Sequence, residues 1–231
     1  MVSKAGGSVI QSIKKVVKAT PIVGPALMHL RKMRFSSSKY WDSRYSQGGT
    51  SGSGSYNRLA EFKAEFLNGF VEQNGIASVI EFGCGDGSQL KLARYPSYIG
   101  VDISPKAVEI CRSKFAADPS KTFCVPAALD RNTKVDLSLS LDVVYHLVED
   151  PVFDAYMRRL FACARRFAIV YSSNWNHQET LHVRHREFTK WVDENEPGWR
   201  LLSTVKNRYP YDAANPDQTS LADFYVFAPR A

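Results

Sequence analysis

A short apolar segment that runs directly into a glycine-rich turn constrains the fold of this chain more than any other feature. The segment is Ala77–Phe82 and the turn is Gly83–Gly87, with glycine at its first, third and fifth positions. A second apolar strand over residues 98–103 then carries Asp102, 19 residues after Gly83. In nucleoside-binding βαβ units an acidic residue at about this distance holds the ribose hydroxyls. The order of elements therefore predicts a nucleoside site at the carboxyl end of the first strand.

The rest of the chain alternates apolar strands with helical periodicity. This alternation predicts an α/β fold with a doubly wound, mostly parallel sheet that helices cover on both faces. The last two strands have no helix between them and are expected to pair as a hairpin. The predicted helices contain Leu59–Gly75, Leu90 with Leu92, Ser104 to about Ala117, Val152–Cys163 and His185–Glu194; the further strands are Phe123–Val125, Val135–Leu141, Phe167–Tyr171, Leu201–Lys206 and Asp223–Phe227.

The glycine turn also discriminates between nucleoside cofactors. A dinucleotide-binding turn requires a third glycine at position 88, which is Ser88. Two carboxylates, Glu81 and Asp86, flank the turn. They would repel a pyrophosphate and attract a cation. The turn therefore favours the sulfonium of S-adenosylmethionine over NAD.

At these residues, E-F-G-C-G-D-G, the chain resembles the class I S-adenosylmethionine-dependent methyltransferases, and the resemblance extends over most of the chain from Tyr40 onward. It implies a Rossmann-like seven-stranded sheet, mostly parallel, with a reversed C-terminal strand. It also implies which side chains hold the cofactor. The methionine moiety would lie among Glu81, Gly83, Gly85 and Asp86, the ribose on Asp102, and the adenine against Ile103, Ala128 and Leu129.

The aromatic run Tyr40-Trp41-Asp42-Ser43-Arg44-Tyr45 looks like the N-terminal segment that many of these enzymes fold over the cofactor. Tyr40 or Trp41 would stack on the adenine or face the sulfonium, and Arg44 would pair with the cofactor carboxylate. The alternative is that these aromatic residues pack on the sheet. The chain is accordingly divided into a basic segment (1–37), a capping segment with a helix (38–75) and the methyltransferase domain (76–231).

The catalytic candidates follow the fourth and fifth strands, at the ligand edge of the sheet. In L-D-V-V-Y-H-L-V-E-D, Asp142 and His146 share one face if the turn is helical. His146 is the first candidate for the general base, and Asp142 would contact the cofactor amine or the acceptor. His182 and His185 are alternative bases, or ligands of an anionic acceptor. A structural role is the alternative for each histidine, and no spacing requires a metal.

The net charge of +7 is concentrated at the N-terminus. The first 41 residues carry eight basic and no acidic side chains, whereas the remaining 190 carry a net charge of −1. Val9, Ile13, Val16 and Val17 form an apolar helical stripe among the lysines. Residues 1–35 are therefore expected to bind an anionic membrane surface or a protein partner, or to pack as an ordinary helix. Nucleic acid is the partner favoured least, because aromatic residues do not alternate with the basic ones.

Weaker motifs, I-V-Y-S-S-N and A-D-F-Y-V-F among them, are similar to small bacterial methyltransferases of polysaccharide and glycolipid assembly. This similarity implies O-methylation of a sugar hydroxyl of a surface glycan. The alternatives are a small-molecule or nitrogen acceptor, and a non-catalytic binding module. Four cysteines without C-x-x-C spacing indicate a reducing compartment. The expected location is the cytoplasm, with peripheral attachment to the inner membrane.

Overall fold

The computed structural model describes residues 35–230. The chain divides into two compact units, residues 1–36 and 37–231, and every element named below lies in the second. The expected apolar stripe of residues 9–17 lies outside the described residues.

A seven-stranded sheet forms the centre of this unit, in the order β3-β2-β1-β4-β5-β9-β8. β1 to β5 are parallel. β9 is antiparallel to both β5 and β8, so the reversed strand lies between them. The predicted fold class and the pairing of the last two strands are thereby confirmed. The strands are β1 Val79–Phe82, β2 Tyr98–Val101, β3 Lys121–Cys124, β4 Val135–Leu141, β5 Ala164–Ser172, β8 Trp199–Val205 and β9 Asp223–Pro229; a separate two-stranded hairpin comprises β6 His177–Gln178 and β7 Arg184–His185.

Helices cover both faces of the sheet and give each face its own apolar core. On one face, Leu67 of the helix Asn57–Gln73 (α2) and Val108 of the helix Pro105–Lys114 (α3) pack with buried strand residues such as Leu137. On the other face, Met157 of the helix Asp150–Cys163 (α4) and Phe188 of the helix Phe188–Asn195 (α5) pack with buried strand residues. Burial of these side chains is the main force that holds the layers together. The α-helices are α1 Ser37–Ser46, α2 Asn57–Gln73, α3 Pro105–Lys114, α4 Asp150–Cys163 and α5 Phe188–Asn195.

The start of α3 shows how local chemistry sets an element's boundary. The Ser104 hydroxyl accepts a hydrogen bond from the backbone N–H of Ala107, and Pro105 occupies the first helical position. A serine cap satisfies one of the unpaired N–H groups of the first turn, and proline lacks the N–H that would otherwise be unpaired. This helix start was predicted from the Ser-Pro pair alone.

Two predicted helices differ from those observed. After the glycine turn the chain forms only a short 3₁₀ helix, Gln89–Leu92. Pro96 disfavours helical backbone at the preceding residue, which leaves little chain for an α-helix. His185 is not helical: it pairs with His177 across the β6–β7 hairpin, and α5 begins at Phe188.

The polar segment before α2 is also more ordered than its composition suggests. Ser37–Ser46 forms α1, and Ser53–Ser55 forms a 3₁₀ helix. Tyr45 is buried, so the aromatic residues of this segment pack against the domain instead of serving as a linker. Among residues 35–230, no helix is both long and apolar enough to cross a membrane.

Candidate functional site

A cavity of about 700 Å³ lies at the carboxyl ends of the central strands. This is the edge at which open parallel sheets bind their ligands, and the volume is within the range of cofactor sites, about 300–1,000 Å³. Residues from several parts of the chain line it. They include Trp41, Tyr45 and Ser51 from α1 and the segment after it; Lys63 from α2; Glu81, Gly83, Gly85, Gln89, Asp102 and Ile103 from the first βαβ unit; and Asp142, Val143, His146 and Val152 from the region after β4.

The backbone of the glycine turn forms one wall of this cavity. Gly83 and Gly85 have φ angles of +84° and +56°, which favour glycine. A Cβ atom on Gly85 would lie 2.3 Å from the Ser51 Oγ and 2.8 Å from the Tyr45 hydroxyl. The segment after α1 is therefore packed directly on the turn, and any side chain at position 85 would displace it.

Asp102 lies at the end of β2, beside the turn. Its two carboxylate oxygens accept hydrogen bonds from the backbone N–H groups of Gly85 and Ser104, both at 2.9 Å. The side chain is buried, and burial raises the pKa of this carboxyl to about 6. The carboxylate is thus positioned by the turn while it still lines the cavity.

Glu81 and Asp142 bring two more carboxylates to the cavity. The Tyr98 hydroxyl donates to Glu81 at 2.7 Å, and burial raises the pKa of Glu81 to about 7. Asp142 follows β4 with an unusual φ of +59° and accepts from the Tyr145 hydroxyl at 2.9 Å. With Asp102, three carboxyl groups therefore line the cavity, a lining that suits a cationic ligand when the carboxyl groups are ionised.

Lys63 is a cavity residue that the sequence prediction missed. Its ammonium lies 2.6 Å from the Asp142 carboxylate, and its side chain is only 1% exposed. The available signal was its position on α2. Leu59 and Leu67 stand four residues before and after it, so Lys63 lies on the apolar stripe of the helix. A lysine on a buried stripe indicates a charged partner in the core.

His146 lies at the other end of the cavity, in the 3₁₀ helix Val144–His146. Its Nδ1 is 3.0 Å from the carbonyl oxygen of His182. A carbonyl only accepts, so Nδ1 carries the proton and Nε2 is left with its lone pair. Burial lowers the pKa of His146 to about 4, so that the ring is neutral near pH 7. The structure therefore brings His146 and Asp142 to one cavity, although Asp142 precedes the 3₁₀ helix.

The cap over the cavity is formed by α1, although the three predicted capping residues differ in position. Trp41 lines the cavity and packs edge-on against His146, with ring centroids 4.8 Å apart. Tyr40 does not line it, and instead stacks on His182 at 4.8 Å. Arg44 donates through Nε to the backbone carbonyl of Thr50 at 2.6 Å, and its guanidinium lies over the Trp41 ring.

Other predicted site residues lie beside the cavity without lining it. Asp86 accepts hydrogen bonds from the Tyr56 hydroxyl at 2.8 Å and the Ser88 N–H at 2.9 Å. Burial acts to raise its pKa, but these bonds outweigh burial and the pKa is lowered. Ala128 and Leu129 follow β3, where Pro126 is the residue that reaches the cavity. The Asp86 carboxylate thus accepts hydrogen bonds from groups of the protein itself.

His185 does not line the cavity; its ring is bonded on both sides, to buried Ser173 and to the half-exposed Glu179. Its Nδ1 lies 2.6 Å from the Ser173 hydroxyl, and its Nε2 lies 2.7 Å from the Glu179 carboxylate. His182 is stacked on Tyr40 and near His146, which it contacts through its backbone carbonyl. Within residues 35–230, no group of three or more His, Cys, Asp or Glu side chains is arranged to hold a metal ion.

The chain is similar to known proteins in both sequence and fold. Residues 55–209 match the family described as "Methyltransferase domain". A curated relative, the small RNA 2′-O-methyltransferase of Arabidopsis thaliana, is 26% identical over 155 residues. That match covers 60% of this chain but only 16% of the relative, so this chain corresponds to a small part of that protein.

Solved structures share the fold at low sequence identity. The N-methyltransferase NodS from Bradyrhizobium japonicum, in complex with S-adenosyl-L-homocysteine, has a TM-score of 0.65 at 12% identity, over 85% of this chain and 100% of that one. Magnesium protoporphyrin IX methyltransferase from Synechocystis PCC 6803, with S-adenosylmethionine bound, has a TM-score of 0.60 at 18% identity, over 85% and 98%. The methyltransferase domain of bacterial CtHen1-C has a TM-score of 0.57 at 17% identity, over 75% and 100%.

Proposed function

The chain belongs to the methyltransferase-domain family, and we propose that it uses S-adenosylmethionine to methylate a sugar hydroxyl. One observation carries this proposal. The cavity that contains Asp102 and the glycine turn also contains a neutral histidine, His146, whose Nε2 is free of its own proton. A nucleoside-binding wall and a proton acceptor in one cavity are what an O-methyltransferase requires.

The residues present fit the cofactor. Gln89 lines the cavity, and its side-chain oxygen is buried without a hydrogen-bond partner. A buried acceptor of this kind is costly unless a ligand donates to it. Asp102 would hold the ribose hydroxyls, while Glu81 and Gln89 would face the cationic amino-acid end. S-adenosylmethionine supplies, when bound, an electrophilic methyl group on a sulfonium.

The protein contributes position and proton transfer. Methyl transfer is an in-line displacement, so most of the acceleration comes from holding the acceptor oxygen at the correct distance and angle. His146 Nε2 accepts the hydroxyl proton as the oxygen becomes bonded to carbon. The carbonyl of His182 fixes the ring and its tautomer through Nδ1. Trp41 packs on the same ring and restricts the entry of water.

Cofactor affinity should decrease as the pH falls from 8 to 5. The pKa values of Glu81 and Asp102 are raised to about 7 and about 6, so each carboxyl becomes neutral as the pH passes below its pKa. If binding requires the charged form, protonation of each carboxyl should weaken cofactor binding about tenfold for each pH unit below the pKa of that group. Isothermal titration calorimetry with S-adenosylmethionine at several pH values would measure this dependence.

Asp102→Asn is the matched control for the pH series. It should weaken binding about 10- to 100-fold at pH 8, the loss expected for hydrogen bonds to a charged acceptor. It should also remove the part of the pH dependence near pH 6. A dissociation constant that is constant from pH 8 to 5 in the wild type would contradict the assignment of both carboxylates.

The acceptor that we favour is a hydroxyl of a bacterial surface glycan or glycolipid. A histidine base suits a hydroxyl, which must lose its proton during transfer. The body of the protein after residue 41 is nearly neutral, with a net charge of −1, and so does not favour a polyanionic acceptor. The weaker sequence motifs similar to methyltransferases of polysaccharide assembly agree with this choice. A small metabolite or a nitrogen acceptor is the alternative within the same reaction.

RNA is a second candidate acceptor. The Arabidopsis relative is named for a small RNA 2′-hydroxyl, which is itself a sugar hydroxyl, and the same base would serve. The basic N-terminal residues provide charge for phosphate contacts. Binding to RNA through these residues would decrease steeply with salt concentration.

A transfer assay with methyl-labelled S-adenosylmethionine separates these acceptors. The full-length protein is incubated in turn with lipid-linked glycans, free oligosaccharides, single-stranded RNA and small amines. We expect labelled product with glycan, as a base-stable ether. Label in RNA or in an amine alone would replace the glycan with that acceptor, whereas the absence of cofactor binding by calorimetry would overturn the enzymatic proposal itself.

We also propose that residues 1–35 attach the enzyme to the anionic cytoplasmic face of the membrane. They carry seven basic and no acidic side chains, and each basic residue near an anionic surface contributes about 1 kcal/mol. Full-length protein should sediment with phosphatidylglycerol vesicles and be released by salt. Deletion of residues 1–35 should abolish sedimentation and leave the affinity for S-adenosylmethionine unchanged. Equal sedimentation with phosphatidylcholine vesicles would contradict an electrostatic attachment.

A further inference from the structure

Trp175 is an exposed aromatic side chain at the ligand edge of the sheet. It follows the carboxyl end of β5 by three residues, and 40% of it is exposed. Its ring stacks on His185, with centroids 4.9 Å apart and an interplanar angle of 22°. An indole costs free energy when it is left in water. Its exposed ring, just beyond the carboxyl end of β5, is therefore a surface on which a ligand could stack.

The Trp175 ring packs on a histidine that is itself fixed in position. His185 is buried and bonded on both sides, to Ser173 through Nδ1 and to Glu179 through Nε2. The residue before Trp175 is also fixed, because the Asn174 amide bonds the side chain of Thr189 at 2.8 Å. A surface ordered before binding loses little conformational entropy when a ligand arrives. Trp175 and His185 thus form a pre-organised platform.

A row of rings connects this platform to the proposed general base. The ring of Tyr145 lies 6.0 Å from that of His185 and 4.5 Å from that of His146. The Tyr145 hydroxyl bonds the carboxylate of Asp142, a residue that lines the cavity. One ring, that of Tyr145, therefore separates His185 from His146, and Trp175 lies one ring further along the row, outside the cavity. A ligand that spans Trp175 and His146 would have to be longer than a single sugar.

The charges around the platform exclude a polyanion as the favoured occupant. The two arginines of the β6–β7 hairpin region, Arg184 and Arg186, both bond the carboxylate of Asp150. Glu179 adds a half-exposed carboxylate. These two arginines and two carboxylates sum to zero charge, and both arginines are already bonded to Asp150, so the surroundings do not attract an anionic ligand. An uncharged ligand with a C–H face, such as a sugar ring, fits an exposed indole better.

We propose that Trp175, supported by His185, binds a neutral sugar ring of an oligosaccharide acceptor at a distance from the hydroxyl that is methylated. This inference rests on the proposed function and adds to it the size of the acceptor: more than one sugar unit. The platform binds the acceptor and takes no part in proton transfer. Its loss should raise the KM for an oligosaccharide and leave kcat nearly unchanged.

Binding of the full-length protein to an array of neutral bacterial oligosaccharides, with S-adenosyl-L-homocysteine present, tests this proposal. The variants are Trp175→Ala, Trp175→Phe and, as a matched control, Tyr211→Ala. Tyr211 is an aromatic residue of the β8–β9 connection and is 50% exposed. We expect Trp175→Ala to weaken oligosaccharide binding about tenfold, Trp175→Phe to weaken it less, and Tyr211→Ala to have no effect. Cofactor affinity is measured for each protein as a check on folding.

The outcomes separate this proposal from the proposed function. Equal oligosaccharide binding by Trp175→Ala and wild type would overturn the platform and leave the glycan acceptor intact. Cofactor binding with no oligosaccharide binding by the wild type would overturn both the platform and the acceptor class. Loss of single-stranded RNA binding in Trp175→Ala, in place of oligosaccharide binding, would assign the ring to a nucleobase and overturn the sugar. Oligosaccharide binding through Trp175 without cofactor binding would support the platform and overturn the methyltransferase activity.

Discussion

His146→Ala should lower the turnover number about 100- to 10,000-fold, the usual contribution of a general base, while the dissociation constant for S-adenosylmethionine stays within about twofold of wild type. The reason is that the ring lines the acceptor end of the cavity with Nε2 unprotonated, whereas the cofactor wall lies at Gly85 and Asp102. The measurement is single-turnover methyl transfer together with calorimetry. Because burial lowers the pKa of His146 to about 4, the base should remain active down to that pH.

His146→Asn separates proton transfer from positioning. The asparagine amide can donate to the carbonyl of His182 as Nδ1 does, but it has no counterpart of Nε2. We expect this variant to be as inactive as His146→Ala. If His146→Asn instead restores most of the activity, the role of His146 is to anchor the hairpin, and the proton acceptor is another group.

Lys63→Met should destabilise the domain by about 3 kcal/mol, because the loss of one partner leaves a carboxylate in the interior without its cation. The value is at the low end of the range for buried pairs because 17% of the Asp142 side chain is exposed. Asp142 also has strained backbone with a positive φ, so Lys63 stabilises a conformation that is unfavourable by itself. Urea unfolding followed by circular dichroism measures the change.

Two variants control for this effect. Lys106→Met removes an exposed lysine that pairs with Glu109, and it should change the free energy of unfolding by less than about 0.5 kcal/mol. The double variant Lys63→Met/Asp142→Asn removes both charges, and it should recover part of the loss. Strictly additive losses in the double variant would mean that the two side chains are not coupled, and that their contact contributes no stability.

The fold was predictable because its determinants are local. The glycine turn, the Ser104-Pro105 helix start and the apolar strands each depend on a few adjacent residues. Strand bounds matched best where apolar and polar residues alternate strictly, as in β4 (V-D-L-S-L-S-L), whose observed range Val135–Leu141 equals the predicted one. The proximity of Asp142 and His146 was also a local inference, drawn from a spacing of four.

The remaining features depend on contacts that no local sequence pattern specifies, whether the partners are near or distant in the chain. Lys63 and Asp142 are 79 residues apart, and no pattern near either one identifies its partner. Arg44, which the resemblance assigns to the cofactor carboxylate, also donates through Nε to the carbonyl of Thr50. His185 has the periodicity of a helix, yet its pairing with His177 and its bonds to Ser173 and Glu179 place it in a strand. For each of these residues, contacts made in the folded protein determine where the side chain lies.

The close packing of Ser51 and Tyr45 on Gly85 has a consequence for how such a protein can diversify. The glycine turn and Asp102 lie within residues 55–209, the region that matches the family, whereas Trp41, Tyr45 and Ser51 precede that region. The glycine wall of the cavity is therefore part of the family match, and the capping residues lie outside it. Exchange of residues 37–54 between relatives should transfer preference for an acceptor, provided that position 51 stays small enough to rest on the glycine beneath it.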